Sequence, residues 1–351
     1  MPPRQTAGAG RRRIAAAAAA FALALASASC DFENPSSDGS GEGVFYALGD
    51  DHRLYRWDAA GGSSGEPEPV LDLSGVWEGQ GDVGTVLRAS LSIAPGQKYA
   101  AWIDGASPGA VLEFGNLETG EITTGAAYPV DHACIDPSWL ADGSALLVHR
   151  AAVWGIAGEP GGRADTDAIP LPAKTWGATE WYSPEAGELP TTMDLTTQGC
   201  RLRWYTDEDG AAQALYHDLD VTELYRVDAT GSVLETIPVP SLKGTEPLTI
   251  GLVGVDPSGR YACLVDGYGP YGAYKGGFTI RAESGTRVVD LEERQAVGAD
   301  DTTCVSVHAD GYVSRDGTQV AFIDYTGRSL WATDLPDTIA ESPVLFYFPP
   351  D

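Results

Sequence analysis

From residue 43 onward the chain alternates short apolar runs with polar, glycine-bearing turns, and the runs follow one plan. An apolar run comes first, as at 87–93, 249–255 and 304–308. A turn follows, such as Ala94-Pro95-Gly96, Ala141-Asp142-Gly143, Asp256-Pro257-Ser258-Gly259 or Arg315-Asp316-Gly317. Glycine and aspartate tolerate the positive φ that tight hairpins need, so each such turn predicts a hairpin. A glycine-started phrase then supplies the second strand. Its copies are GVFYALGD at Gly43, GQKYAAWID at Gly96, GSALLVHR at Gly143, GCRLRWYTD at Gly199, GRYACLVD at Gly259 and GTQVAFID at Gly317. The near-continuous apolar centres, Val320 to Ile323 for example, suit strands covered on both faces.

A third strand follows each phrase in most units, at 54–58, 224–228 and 330–334. Acid-bearing turns ending in glycine, at 58–61, 118–120, 228–231 and 283–285, lead to a fourth. Alternation over 233–239 fits a half-exposed outer strand. The phrases recur at spacings of 53, 47, 56, 60 and 58 residues. Strand-built repeats of that period predict an all-β chain folded as a six-bladed β-propeller, with seven blades as the alternative count. Unit one starts directly at its second strand. The terminal run at 344–348 either supplies the missing inner strand, which closes the ring and removes an exposed edge, or forms the outer strand of the last blade.

The repeat phrases resemble the TolB-type, WD40-like propeller repeat. Pro137-Ser138-Trp139-Leu140-Ala141-Asp142-Gly143 is the best first half and Leu224-Tyr225-Arg226-Val227-Asp228-Ala229-Thr230-Gly231 the best second half. The resemblance spans residues 44–351, and its degenerate copies specify the fold better than the family. TolB proteins carry an α/β domain before the propeller, for which this chain has no room, so their partner contacts do not transfer.

The N-terminus reads differently. Arg4 and Arg11 to Arg13 precede an alanine-rich apolar run at 14–26 that is too short for a membrane span. Ser27-Ala28-Ser29-Cys30 then resembles a bacterial lipoprotein signal, which implies residues 1–29 as leader and Cys30 as the lipidated residue. The sequence departs from that pattern at Ser27, where such signals usually carry leucine. The alternative is ordinary cleavage after Ala28 and a soluble secreted form. Residues 30–43 are too polar to fold alone and read as a disordered tether. The expected location is the cell envelope, with the membrane as partner through Cys30.

Composition adds three points. The 43 Gly, 23 Pro and 32 aromatic residues suit many short strands and turns. The net charge of −28 repels phosphate backbones, so nucleic acid is excluded as an expected partner. With Cys30 set aside, Cys134, Cys200, Cys263 and Cys304 remain, and an even count in an exported chain predicts two disulfides. Three pairings are open. Cys134–Cys200 with Cys263–Cys304 joins adjacent units and closes the shorter loops.

Candidate chemistry is sparse. Two Gly-x-Ser-x-Gly stretches, at 61–65 and 105–109, lack the strand–helix elbow a nucleophilic serine needs. None of His52, His132, His149, His217 and His308 has metal-binding helical spacing; His217-Asp218 reads as a solvated loop. Asp207 and Asp209, in Asp-Glu-Asp-Gly, form a fragment of a calcium loop without its closing ligands, and a β-turn is the favoured reading. No cofactor is expected. The most unusual stretch is the glycine-framed loop carrying Tyr268, Tyr271 and Tyr274; a second long connection, 151–198, carries Trp154, Trp176, Trp181 and Tyr182. Exposed aromatics present a flat face and a hydroxyl for binding, or pack back onto the blade. The expected function is a non-catalytic, monomeric binding scaffold for an envelope protein, peptide or glycan. The alternative is a hydrolase or lyase whose groups, drawn from His132, His149, Asp207 and His308, converge in the central funnel.

Overall fold

The computed structural model describes residues 42–59, 65–76, 87, 90–105, 110–128, 132–140, 143, 146–152, 178–182, 192–194, 199–218, 223–241, 250–266, 286–298 and 303–350. The described strands form six four-stranded antiparallel sheets. Sheet A holds β1 (Val44–Leu48), β2 (Arg53–Asp58), β3 (Glu68–Asp72) and the last strand of the chain, β24 (Leu345–Phe348), in the order β24-β1-β2-β3. Sheet B holds β4 (Ser92–Ile93), β5 (Tyr99–Asp104), β6 (Ala110–Asn116) and β7 (Ile122–Tyr128). Sheet C holds β8 (His132–Trp139), β9 (Leu146–Ala152), β10 (Ala178–Tyr182) and β11 (Thr192–Asp194). Sheet D holds β12 (Gly199–Thr206), β13 (Ala212–Asp218), β14 (Glu223–Asp228) and β15 (Val233–Pro238). Sheet E holds β16 (Ile250–Val255), β17 (Tyr261–Asp266), β18 (Thr286–Asp290) and β19 (Gln295–Val297). Sheet F holds β20 (Thr303–His308), β21 (Gly311–Asp316), β22 (Gln319–Asp324) and β23 (Ser329–Asp334).

The terminal run is therefore an inner strand. Val44 pairs with Phe348 and Ala47 with Leu345, so β24 fills the place in sheet A that β4, β8, β12, β16 and β20 hold in the others. Two phrases sit differently from the sequence reading. The Gly199 phrase is the first strand of sheet D, because the following run, Ala212–Asp218, forms a strand of its own. The Gly317 phrase is the third strand of sheet F, because Gly311–Asp316 is the second; the run at 330–334 is accordingly the fourth. Alternation marks a strand but carries no information on which neighbour it takes. Gly285 likewise precedes a third strand, β18, rather than a fourth. The apolar run at 87–93 yields only the short β4, since the Leu91 N–H donates to the Leu87 carbonyl in a helical turn before it.

Neighbouring sheets pack face to face. Tyr46, Leu54 and Leu71 of sheet A meet Ile93 and Trp102 of sheet B. Ala101, Leu112 and Phe114 meet Trp139, Leu146 and Val148 of sheet C. Leu147 meets Leu202, Trp204 and Tyr216 of sheet D. Cys263 and Val288 of sheet E meet Cys304, Tyr312 and Ile323 of sheet F. Val313, Val320 and Phe322 meet Phe45, Trp57 and Tyr347 of sheet A. The seam between sheets D and E is the polar one: Arg203 Nε donates to the Val253 carbonyl at 2.9 Å and an Arg226 amino group to the Gly259 carbonyl at 3.3 Å. Gly259, at φ +76°, lies so close over Tyr205 that a Cβ there would fall 2.3 Å from the ring. This arrangement is an all-β propeller.

Each of sheets B to F returns the chain to the end from which it entered, because four antiparallel strands reverse direction three times; sheet A, whose inner strand comes last, does not. The second strand ends where the first begins: Ala152 pairs with His132, Asp218 with Gly199, Asp266 with Ile250 and Arg315 with Thr303. First-to-second and third-to-fourth turns thus share one end of the ring, and second-to-third connections share the other. Contacts between sheets agree, since the first-to-second turns touch their counterparts: Gly143 lies against Pro95 and Gly96.

Candidate functional site

The end holding the first-to-second turns is built from carboxylate-capped hairpins. Asp207 Oδ1 accepts from the backbone N–H groups of Asp209 and Ala211, and Oδ2 from Gln213 Nε2. Asp228 Oδ1 accepts from the Thr230 N–H and hydroxyl and the Ser232 N–H. Asp256 takes the Ser258 N–H and hydroxyl on one oxygen and the Tyr261 N–H on the other. Asp324 repeats the pattern with Thr326 and the Arg328 N–H; these donors pull its carboxyl down to about 2. The short acidic side chain mimics a backbone turn, and glycine takes the left-handed position, as at Gly210, Gly231 and Gly327. The recurring acid-and-glycine phrases are hairpin chemistry.

At the same end, where sheets E, F and A meet, lies an aromatic–imidazole cluster. The Tyr261 and Tyr325 rings stack with centroids 3.5 Å apart. The Tyr325 hydroxyl donates to the His308 carbonyl at 2.5 Å, and burial holds that phenol far above its usual range. His308 Nε2 and Ser306 Oγ share a hydrogen bond of 2.8 Å. The imidazole meets Tyr347 edge-on at 5.2 Å, and the Tyr347 hydroxyl donates to the Glu42 carbonyl at 2.9 Å. Burial pushes the His308 pKa down to about 4 and the Tyr347 phenol up to about 12. At neutral pH the imidazole is uncharged, the Tyr347 ring is buried, and the Tyr325 and Tyr347 hydroxyls are taken up by backbone carbonyls, so the cluster packs the junction of sheets E, F and A.

The sequence-derived candidates scatter. Asp207 lies in the β12–β13 turn with its carboxylate spent on its own hairpin, while Asp209 is exposed beside it. Among the described residues no group of three or more His, Cys, Asp or Glu is placed to hold a metal ion. His217 is a buried residue of β13 rather than part of a solvated loop. His132 begins β8 and His308 ends β20, so they stand at opposite ends of their inner strands; His149 lies inside β9. Cys263 and Cys304 form a disulfide between β17 and β20, with Cα atoms 6.1 Å apart. Cys134 sits in β8 and Cys200 in β12, with sulfurs outside the described atoms. The connection at 151–198 contains β10 and β11, and the backbones of Trp181 and Tyr182 pair with Leu147 and Leu146. Cys30, Tyr268, Tyr271, Tyr274, Trp154 and Trp176 lie outside the described residues. Sequence reading missed Tyr261, Tyr325, Tyr347 and Ser306. They come from separate phrases, and no single motif joins them.

No protein-family model matches this chain, and no curated protein does. Among solved structures it is similar to TolB from Acinetobacter baumannii, with 15% identity and a TM-score of 0.51, covering 89% of this chain and 68% of that one. It is also similar to a chain of a nidogen/laminin complex, with 12% identity and a TM-score of 0.49, covering 87% of this chain and 97% of that one. At these identities the likeness to TolB is one of fold: a β-propeller is what the two share.

Proposed function

We propose that this protein is a lipid-anchored envelope scaffold whose propeller, a ring of six blades, binds a protein, peptide or glycan without catalysing a reaction. The observation that carries the reading is how the polar groups at the end holding the first-to-second turns are used. Asp207, Asp228, Asp256 and Asp324 each cap their own hairpin, and His308 is neutral and packed among tyrosines. Groups committed in this way support a scaffold rather than a reaction centre at that end. Six blades are supported by the filled seams between successive sheets and by β24 completing sheet A. Lipid on Cys30, the residue that follows the leader at 1–29, supplies the anchor, residues 30–43 the spacer, and the acidic surface disfavours nucleic acid. Cys134–Cys200 is the proposed second disulfide, and the monomer the proposed state.

One observation favours the hydrolase or lyase reading: the Ser306–His308 hydrogen bond on an inner strand. The two readings separate in one experiment. Peptide and glycan arrays probed with the mature protein are followed by turnover assays on every hit, with wild type and His308→Gln. Under the scaffold reading hits bind and are not consumed. Consumption by wild type that His308→Gln abolishes overturns it. For the anchor, Cys30→Ser moves the protein from the detergent phase to the aqueous phase; retention on membranes in high salt overturns that part.

A further inference from the structure

The described chain enters the ring at one end only, and that end can be named. Val44, the first residue of β1, pairs with Phe348, and the Tyr347 hydroxyl holds the Glu42 carbonyl. Ala59 adds its N–H to the Gly43 carbonyl. Three contacts therefore fix residues 42–44 where the inner strands finish, at the end of the ring that carries the capped turns of Asp207, Asp256 and Asp324. Gly43 has no latitude there: a Cβ would fall 2.5 Å from the Phe348 carbonyl oxygen.

The opposite end is formed by the second-to-third connections. In sheets A and F these are tight, at 49–52 and 317–318. In sheets C and E the strands stop far apart in sequence: β9 ends at Ala152 and β10 begins at Ala178, while β17 ends at Asp266 and β18 begins at Thr286. Both gaps open at the end away from Glu42, because Ala152 pairs with His132 and Asp266 with Ile250, each the first residue of an inner strand. The two longest second-to-third connections are thus attached to one end, and the tether to the other.

We infer that the lipid anchor holds the ring by its Glu42 end, so that the end bearing the second-to-third connections of sheets C and E faces away from the membrane. This rests on the lipid-anchor reading of Cys30. A strand rises about 3.3 Å per residue, so inner strands of six to eight residues separate the two ends by roughly 20–25 Å. Eleven residues separate Cys30 from Glu42, and a ring tethered at one end keeps that end nearer the lipid on average.

The test uses the full lipidated protein, made in a bacterial host and reconstituted into phosphatidylethanolamine–phosphatidylglycerol vesicles carrying a headgroup-linked acceptor dye. A donor is installed through an azide-bearing residue at exposed Asp209, on the Glu42 end, or at exposed Thr318, on the other. The expected result is energy transfer about twofold or more stronger from position 209 than from 318, given that end-to-end separation. Vesicle-bound protein with equal or reversed transfer overturns the orientation while the anchor stands. Protein that floats free of vesicles, with an intact mass lacking lipid at Cys30, overturns the anchor reading and the orientation with it. Both variants are checked for the wild-type melting transition, so a misfolded variant is replaced by the same label at neighbouring Glu208 or Asp316.

Discussion

Sheets F and A are built from the same parts at opposite extremes of sequence separation. Sheet F runs without interruption from Thr303 to Asp334, with two-residue connections at 309–310 and 317–318. Sheet A borrows its inner strand from the far end of the chain, and the Tyr347–Glu42 bond spans 305 positions. Local hairpins cost little loop entropy, whereas the closing strand must be brought back across the whole domain. Sheet F is a self-contained unit, while sheet A is complete only when the ring is. The two are not independent, because Phe45 and Trp57 of sheet A pack on Val313 and Phe322 of sheet F. Closure therefore draws on long-range pairing and on a shared apolar seam.

That contrast can be broken from either side. The largest effect is expected from Tyr347→Ala, which removes a buried ring touching Phe45, Phe322 and Trp331 and the hydroxyl that holds Glu42. It should cost about 3–5 kcal/mol in a urea titration. Hydrogen exchange should rise in β1 and β24 well before it rises in β21 and β22.

Cys263→Ser with Cys304→Ser comes next. The disulfide encloses 41 residues of separation and ties sheet E to sheet F. Its loss should cost about 2–4 kcal/mol. In contrast to Tyr347→Ala, exchange should rise at the seam between sheets E and F and leave β1 unchanged.

A pH titration sharpens the comparison further. His308 is held neutral in the fold, at about 4, against about 6.5 in the unfolded chain. The unfolded state therefore binds the proton first as pH falls. The stabilisation is fully present above pH 6.5 and is lost between there and 4, amounting to no more than about 3 kcal/mol. His308→Gln should flatten that part of the stability–pH curve. An unchanged curve means that other groups set the acid limit.

The smallest effect is expected from Asp256→Ala, which strips three donors of their acceptor at one hairpin. A loss of about 1–2 kcal/mol at the seam between sheets D and E, read from the urea midpoint, is the expected outcome.

Much of the fold was legible before any coordinates. The glycine phrases, acid-bearing turns and period of 47 to 60 residues all reflect local chemistry: a left-handed turn wants glycine, and an aspartate three residues before it caps it. The Asp-Glu-Asp-Gly stretch read as a β-turn is one, with Asp207 closing it. Less was legible of the site. Tyr261, Tyr325, His308 and Tyr347 belong to four strands or turns of three sheets, and nothing in their local sequence marks them as neighbours.

By itself the sequence determined most of the strands, that they repeat, and that glycine- and acid-bearing turns join them. These depend on residues a few positions apart. Only the tertiary structure decided which neighbour each strand takes. It made the Gly199 phrase an inner strand and the Gly317 phrase a third one, and it seated β24 beside β1. A strand exposes the same row of N–H and C=O groups to any partner. The choice is made by the apolar faces that close against one another around the ring, such as Phe45 and Trp57 against Phe322 and Tyr347.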